Sequence, residues 1–241
     1  MSDTAVILAA GRGTRLAGSG DAETFSKPLM AVGGKTMLER CIAGCRAGGA
    51  RRIVVVTGFR HQLIEAEVAR LNRGDLETVF NPAWSKSNGM SVYAVRDHVD
   101  VPFALMMSDH VFEPSILADL LALEPAAGTV TLAIDRKIAE VFDLDDATKV
   151  LVEGDKIVQI HKQLATYNAV DCGLFLCTPA VFPALGEVVA RRGDTTLSEG
   201  LEIIGARGQF LPFDIGDRWW QDVDTPEMLE QASAQLAKRG L

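Results

Sequence analysis

Leu8-Ala9-Ala10-Gly11-Arg12-Gly13-Thr14-Arg15-Leu16 decides the fold, because it joins an unbroken apolar run, Thr4–Ala9, to a loop of glycines and arginines. A short continuous apolar run closed by glycine reads as a strand buried on both faces, the kind that sits inside a parallel sheet. Outward from it, Thr36–Ala47 has helical periodicity, Arg52–Thr57 (RIVVVT) is a β-branched strand, Gln62–Leu71 is helical, Glu77–Phe80 is a short strand and Val101–Met107 is a further buried run. Strands alternating with helices and lacking two-residue hairpin turns require right-handed crossovers. The sequence therefore predicts an α/β protein, with a mostly parallel central sheet and helices on both faces.

The second half changes style. Val130–Ile134, Thr148–Glu153, Lys156–Ile160 and Leu174–Cys177 are strand-like, and Glu153-Gly154-Asp155-Lys156 has the composition of a hairpin turn, so antiparallel strands are added here. Helical patterns return at Pro179–Ala190 and Pro226–Leu236; the threonine before each proline predicts a Thr N-cap with proline in the first turn. No repeat, low-complexity tract or linker interrupts the 241 residues, which read as one domain over 1–241.

Composition excludes several functions. Hydrophobic residues make up 48% and charged residues 23%, too apolar a balance for a disordered chain. The net charge of −8 argues against a non-specific nucleic-acid binder, which needs excess Lys and Arg. Residues 1–60 nevertheless carry +5 and the remainder −13, which suggests either a local anion site or basic, solvated helix faces. No apolar run approaches the roughly 18–20 residues that span a bilayer, so a cytoplasmic protein without a membrane segment is expected. Cys41, Cys45, Cys172 and Cys177 form no C-x-x-C pair and read as buried free thiols.

Chemistry enters with the glycine loop. Small residues let backbone N–H groups approach a ligand, and Arg15 and Lys27 supply positive charge nearby, which is how a phosphate is cradled. Two familiar phosphate motifs fail: Leu16 occupies the third glycine of G-x-G-x-x-G, and the first glycine of a Walker A loop would fall at Leu29. Carboxylates supply the context instead. Asp109 follows a central strand, where ligands bind in open α/β sheets, and Asp222 and Asp224 follow Trp219-Trp220-Gln221. Acids at strand ends opposite a cationic glycine loop suit Mg²⁺ bridging carboxylates and phosphates.

Three separated motifs, LAAGRGTRL with SKPL, MSDH at Met107–His110 and WWQDVDT at Trp219–Thr225, resemble the nucleotidyltransferases that activate sugar phosphates and polar alcohol phosphates. Within that superfamily, Asn88–Tyr93 (NGMSVY), Val141–Val150 (VFDLDDATKV), Tyr167–Gly173 (YNAVDCG) and Phe175–Thr178 (FLCT) are similar to CTP:inositol-1-phosphate cytidylyltransferases. The resemblance implies a Rossmann-like fold of GT-A type and a Mg²⁺-dependent reaction of CTP with a phosphorylated polyol. It also implies roles for single residues. Ala10, Gly11 and Gly13 would surround the nucleotide phosphates, with Asn88, Gly89 and Ser91 beside the base and ribose and Leu8 also in the nucleotide site. Arg15 and Lys27 would neutralise the α-phosphate and the leaving pyrophosphate. Asp109, Asp222 and Asp224 match the metal acids, Lys162 the lysine that grips the acceptor phosphate, and Gly173 a point of close packing against the acceptor. Where the family pattern has glycine before that lysine, this chain has His161, which reads either as narrowing the acceptor pocket or as a solvent-facing strand residue. His110 is expected to cap or pack locally.

The substrates simplify the mechanism. A phosphate monoester has a second pKa near ~6, so at neutral pH its oxygen is already a nucleophile and requires no general base. Positioning and electrostatic screening by Arg15, Lys27, Lys162 and Mg²⁺ then carry the reaction. Other acceptors (phosphocholine, a phosphonate or a sugar 1-phosphate) and UTP in place of CTP stay open. The run Asp143, Asp145, Asp146 is read either as polyol-binding or as a solvated loop. A non-catalytic nucleotide-binding regulatory protein is a different class of reading; it would lack a metal acid or the lysine, whereas Arg15, Lys27, Asp109 and Asp222 are all present. The product, a CDP-alcohol, would pass to a separate membrane phosphotransferase. Oligomeric state is not legible.

Overall fold

The chain order of the computed structural model is β1 (Thr4–Ala9), β2 (Ala31–Val32), β3 (Lys35–Thr36), α1 (Met37–Ala47), β4 (Arg52–Thr57), α2 (His61–Leu71), β5 (Leu76–Phe80), α3 (Gly89–Tyr93), β6 (Phe103–Met107), β7 (His110–Phe112) and α4 (Pro114–Ala122). There follow β8 (Val130–Asp135), β9 (Lys149–Glu153), β10 (Lys156–His161), β11 (Ala169–Cys177), α5 (Val181–Arg192), α6 (Leu197–Ala206), β12 (Phe210–Asp214), β13 (Trp220–Asp222) and α7 (Pro226–Arg239). The structure describes residues 2–13, 16 and 25–241.

Among the described residues the main sheet has nine strands, ordered β10-β9-β11-β6-β1-β4-β5, with β8 beside β11 and β12 beside β8. The all-apolar β1 lies parallel between β4 and β6, with Leu8 opposite Val56 on one side and Met107 on the other. Parallel neighbours in register finish together, so the loops after β1 and β6 leave the sheet at the same edge. That edge is where an open α/β sheet places its ligand.

Alternate residues of the buried strands feed two cores, one on each face. One packs α3, α5 and α6 through Val92, Phe182, Leu185, Leu197, Leu201 and Ile204. The other packs α1, α2 and α4 through Leu38, Ile42, Ile64, Val68, Ile116 and Leu120. A small third cluster seats Ala232 and Leu236 of α7 against Val32 and Met37. All four cysteines are free and buried.

The hairpin after β9 forms as the sequence predicts: Lys156 pairs with Glu153, and Gly154 takes the positive φ of 59° that the turn requires. The Thr225 hydroxyl caps α7 by accepting the Met228 N–H, with Pro226 in the first turn. The corresponding expectation for Thr178 is corrected. Helix α5 starts at Val181 without a side-chain cap, and the Thr178 hydroxyl donates to the Thr129 carbonyl at 2.8 Å, bonding the end of β11 to the residue before β8.

Gly89 opens α3 where only glycine fits. A Cβ there would lie 2.5 Å from the Thr195 carbonyl oxygen and 2.6 Å from the Thr196 carbonyl carbon, and backbone cannot swing aside as a side chain can. Gly89→Ala is expected to destabilise the fold by about 1–3 kcal/mol through overpacking. Urea denaturation would read this as a lower midpoint with an unchanged slope.

Candidate active site

Strand β1 delivers the glycine loop into a cavity of about 480 Å³ at the sheet edge. Gly13 has a φ of 62°, and a Cβ there would lie 2.5 Å from the Cβ of Lys27, so glycine lets the loop press onto that lysine. Gly11 has no heavy atom within 4 Å of the place its Cβ would take. Its small size therefore serves the open cavity, not internal packing.

Lys27 lies in a short 3₁₀ turn, with a side chain only 7% exposed. Its Nζ donates to Asp109 Oδ2 at 2.6 Å and to Asp224 Oδ1. Burial alone would depress the ammonium pKa, but the charges and hydrogen bonds of the two carboxylates outweigh it and raise the pKa above the ordinary lysine range. Burial likewise pushes Asp109 upward. Lys27 and then His110 more than reverse this and hold the carboxyl well below the usual range.

His110 begins β7 opposite Asp222 of β13. Its Nδ1 lies 2.8 Å from Asp109 Oδ1; an ionised carboxylate only accepts, so Nδ1 carries the proton and donates it. The ring stacks on Trp220 at 5.9 Å, and Trp220 Nε1 donates to Asp135 Oδ2 at 2.9 Å. The third contact is Gly173, whose φ is 71° and whose Cβ would lie 2.4 Å from His110 Cδ2. The close packing expected of Gly173 is therefore made against His110. His110 itself, expected from the sequence to cap or pack locally, is packed on three sides and also lines the cavity.

Asp146, Asp222 and Asp224 present carboxylate oxygens within 4.8 Å of one another. Burial raises the Asp222 pKa, and the charges of Asp224 and Asp109 add to it, so this carboxylate favours any added positive charge. Three hard oxygen donors suit a hard divalent cation. Asp109, expected among the metal acids, is outside this trio, with one oxygen bonded to Lys27 and the other to His110. Asp146 joins it from a run with two sequence readings, and accepts from Lys162 Nζ at 2.7 Å.

Most residues selected from the sequence meet in this one cavity: Leu8, Ala10, Gly11, Gly13, Lys27, Asn88, Ser91, Asp109, Lys162, Gly173, Asp222 and Asp224 all line it. Gly89 does not, because its place is set by packing on Thr195 and Thr196. Arg15 lies outside the described residues. His161 is exposed, and its Nδ1 accepts the Gln163 N–H at 3.0 Å, in line with the solvent-facing reading. Asn88 Oδ1 accepts the Leu197 N–H at 3.0 Å, while Ser91 Oγ accepts from Asn81 Nδ2 at 3.0 Å. Sequence reasoning missed Asp171, whose pKa burial pushes up to about 6, with Asp222 adding and the Gly173 N–H and His110 opposing. The YNAVDCG stretch contains it and was its available signal.

Residues 5–197 match the family model described as MobA-like NTP transferase domain. A Thermococcus kodakarensis protein named bifunctional IPC transferase and DIPP synthase is 33% identical over 238 residues, covering 98% of this chain and 51% of that protein. A UTP–glucose-1-phosphate uridylyltransferase of Haloferax volcanii is 30% identical over 241 residues, 96% of each chain. The solved inositol-1-phosphate CTP transferase from T. maritima superposes with a TM-score of 0.80 and 26% identity, over 95% of this chain and 96% of that one. The chain spans about half the length of the bifunctional relatives it matches.

Removing the Lys27 cation would leave Asp109 and Asp224 facing each other. Lys27→Met is expected to cost about 3 kcal/mol, at the low end for a broken buried pair because Asp109 keeps some solvent contact. Adding Asp224→Asn to that variant should restore part of the loss, and equilibrium denaturation of the four proteins of the cycle measures both effects.

Proposed function

The chain belongs to the MobA-like NTP transferase domain family, and from that premise we propose that it is a Mg²⁺-dependent cytidylyltransferase that converts CTP and inositol 1-phosphate, or a closely similar polyol phosphate, to a CDP-alcohol and pyrophosphate. One observation carries the reading. Lys27 bonds Asp224, Asp224 and Asp222 lie within 4.8 Å of Asp146, and Asp146 bonds Lys162, so a lysine stands at each end of a carboxylate trio in one cavity. A reaction that joins two anions calls for a cation at each and a shared counter-charge between them.

The triphosphate belongs at the Lys27 end, where Gly11 and Ala10 leave the backbone open to it. The acceptor's phosphate monoester belongs at the Lys162 end. Its oxygen attacks the α-phosphorus, the bond from that phosphorus to the bridging oxygen breaks, and pyrophosphate leaves with the bonding pair. The nucleophile is already ionised near neutral pH, so no residue has to remove a proton from it. That suits a site whose His110 donates Nδ1–H to Asp109 and so orients a carboxylate. Asp146, Asp222 and Asp224 would hold Mg²⁺, which supplies charge screening of phosphate oxygens when bound. Lys27, held by two acids, is fixed before substrate arrives, and a preorganised cation spends little of its effect on reorganisation.

The Haloferax volcanii relative, matched over nearly all of both chains, favours a second reading in which UTP and a sugar 1-phosphate are the substrates. The same lysine–trio–lysine row serves either pair. No helix among the described residues is long and apolar enough to cross a membrane. We place the enzyme in the cytoplasm and assign use of its CDP-alcohol to a membrane phosphotransferase activity.

Pyrophosphate release with Mg²⁺ and each pairing of CTP or UTP with inositol 1-phosphate or glucose 1-phosphate tests the assignment. Turnover is expected to be fastest with CTP and inositol 1-phosphate, and Asp222→Asn is expected to reduce kcat by about 10²–10³. Turnover confined to UTP and glucose 1-phosphate would select the second reading, and no release with any pair would overturn both.

A further inference from the structure

Strand β11 loses register against β8 between Asp171 and Phe175, and the positive φ of Gly173 makes the break. Inside that break the Asp171 carboxylate folds back, with Oδ1 accepting the Gly173 N–H at 2.7 Å. Its Oδ2 has no hydrogen-bond or ion-pair partner among the described residues, and the side chain lines the cavity. The Asp171 backbone N–H donates to the Thr148 carbonyl at 2.9 Å. This attaches Asp171 to the segment that carries Asp146, the partner of Lys162. Asp171 therefore belongs to the acceptor end, and the metal trio does not include it.

A carboxylate oxygen open to a cavity needs a donor, and an acceptor alcohol offers hydroxyls. We propose that Asp171 is a specificity-determining residue that accepts a hydrogen bond from a ring hydroxyl of the acceptor, while Lys162 takes the acceptor's phosphate. The assignment rests on the nucleotidyltransferase reading of this site and deepens it. Two opposite charges at one end of the cavity divide the acceptor between them: the ammonium takes the anionic group and the carboxylate the neutral polyol. An acceptor lacking the matching hydroxyl would leave Asp171 without a donor, the kind of mismatch by which sites discriminate strongly.

The test compares wild type with Asp171→Asn. Asparagine keeps a side-chain carbonyl oxygen for the Gly173 N–H, so the turn is retained, and circular dichroism with thermal melting checks this. Each protein is assayed with inositol 1-phosphate and CTP, and with glucose 1-phosphate and UTP. Each acceptor that wild type uses is then replaced by its series of single-deoxy analogues. In wild type, one deoxy position is expected to lower kcat/KM by about tenfold or more. In Asp171→Asn, kcat/KM for the intact acceptor should fall by a similar factor and the penalty at that position should shrink towards one. The KM for the nucleotide and the Mg²⁺ dependence should stay unchanged, which a merely structural role would not produce. The inference is overturned if the variant keeps the wild-type deoxy penalty, or if the loss appears in nucleotide KM or Mg²⁺ dependence. Failure of the functional reading shows separately, in which substrate pair wild type uses; a wild type that takes no hydroxylated phosphate overturns both.

Discussion

A buried ammonium between two carboxylates organises this site. Lys27 comes from the chain just after the glycine loop, Asp109 from the end of a central strand, and Asp224 from the turn before the last helix. Each group would be costly to bury alone. Together they satisfy one another, and that requirement draws three distant segments to one point. The rest of the cavity is arranged around them: Gly13 must lack a side chain because Lys27 passes beneath it, and Asp224 extends the pair into the acidic trio.

A second consequence concerns order within the site. Both oxygens of Asp109 are engaged, one with Lys27 and the other with His110. His110 is in turn held by Trp220 and by the gap that Gly173 leaves. The strand-end acid thus holds Lys27 in place, while the three carboxylates that lie within 4.8 Å of one another come from the end of β13, from the turn after it and from the loop before β9.

The fold was largely legible because parallel strands buried on both faces are written as continuous apolar runs; β1 and β4 keep the limits read from sequence. The capping of α5 was not, since a Thr-Pro pair fits a cap and a strand end equally well, and the nearby Thr129 carbonyl decided the matter. At the site, residues on the glycine loop and at strand ends could be found because topology fixes where they emerge. The roles of Asp146, Asp171 and His110 could not be, although Asp146 and His110 were noted and YNAVDCG contains Asp171. Each matters through a neighbour from a remote segment, Lys162, the Gly173 turn and Trp220 respectively, and sequence spacing carries no record of such meetings.

The uneven charge of the chain has a physical reading at the cavity. Among the described lining residues five aspartates face three lysines, Lys27, Lys86 and Lys162. A bare triphosphate entering this space meets a net negative wall, and a phosphate monoester adds to the repulsion. Two lysines alone do not balance that charge, because each is already paired with an aspartate. The acidic excess is therefore not an obstacle that the site tolerates. Under the proposed reaction, that excess calls for a cation to accompany the phosphate-bearing substrates.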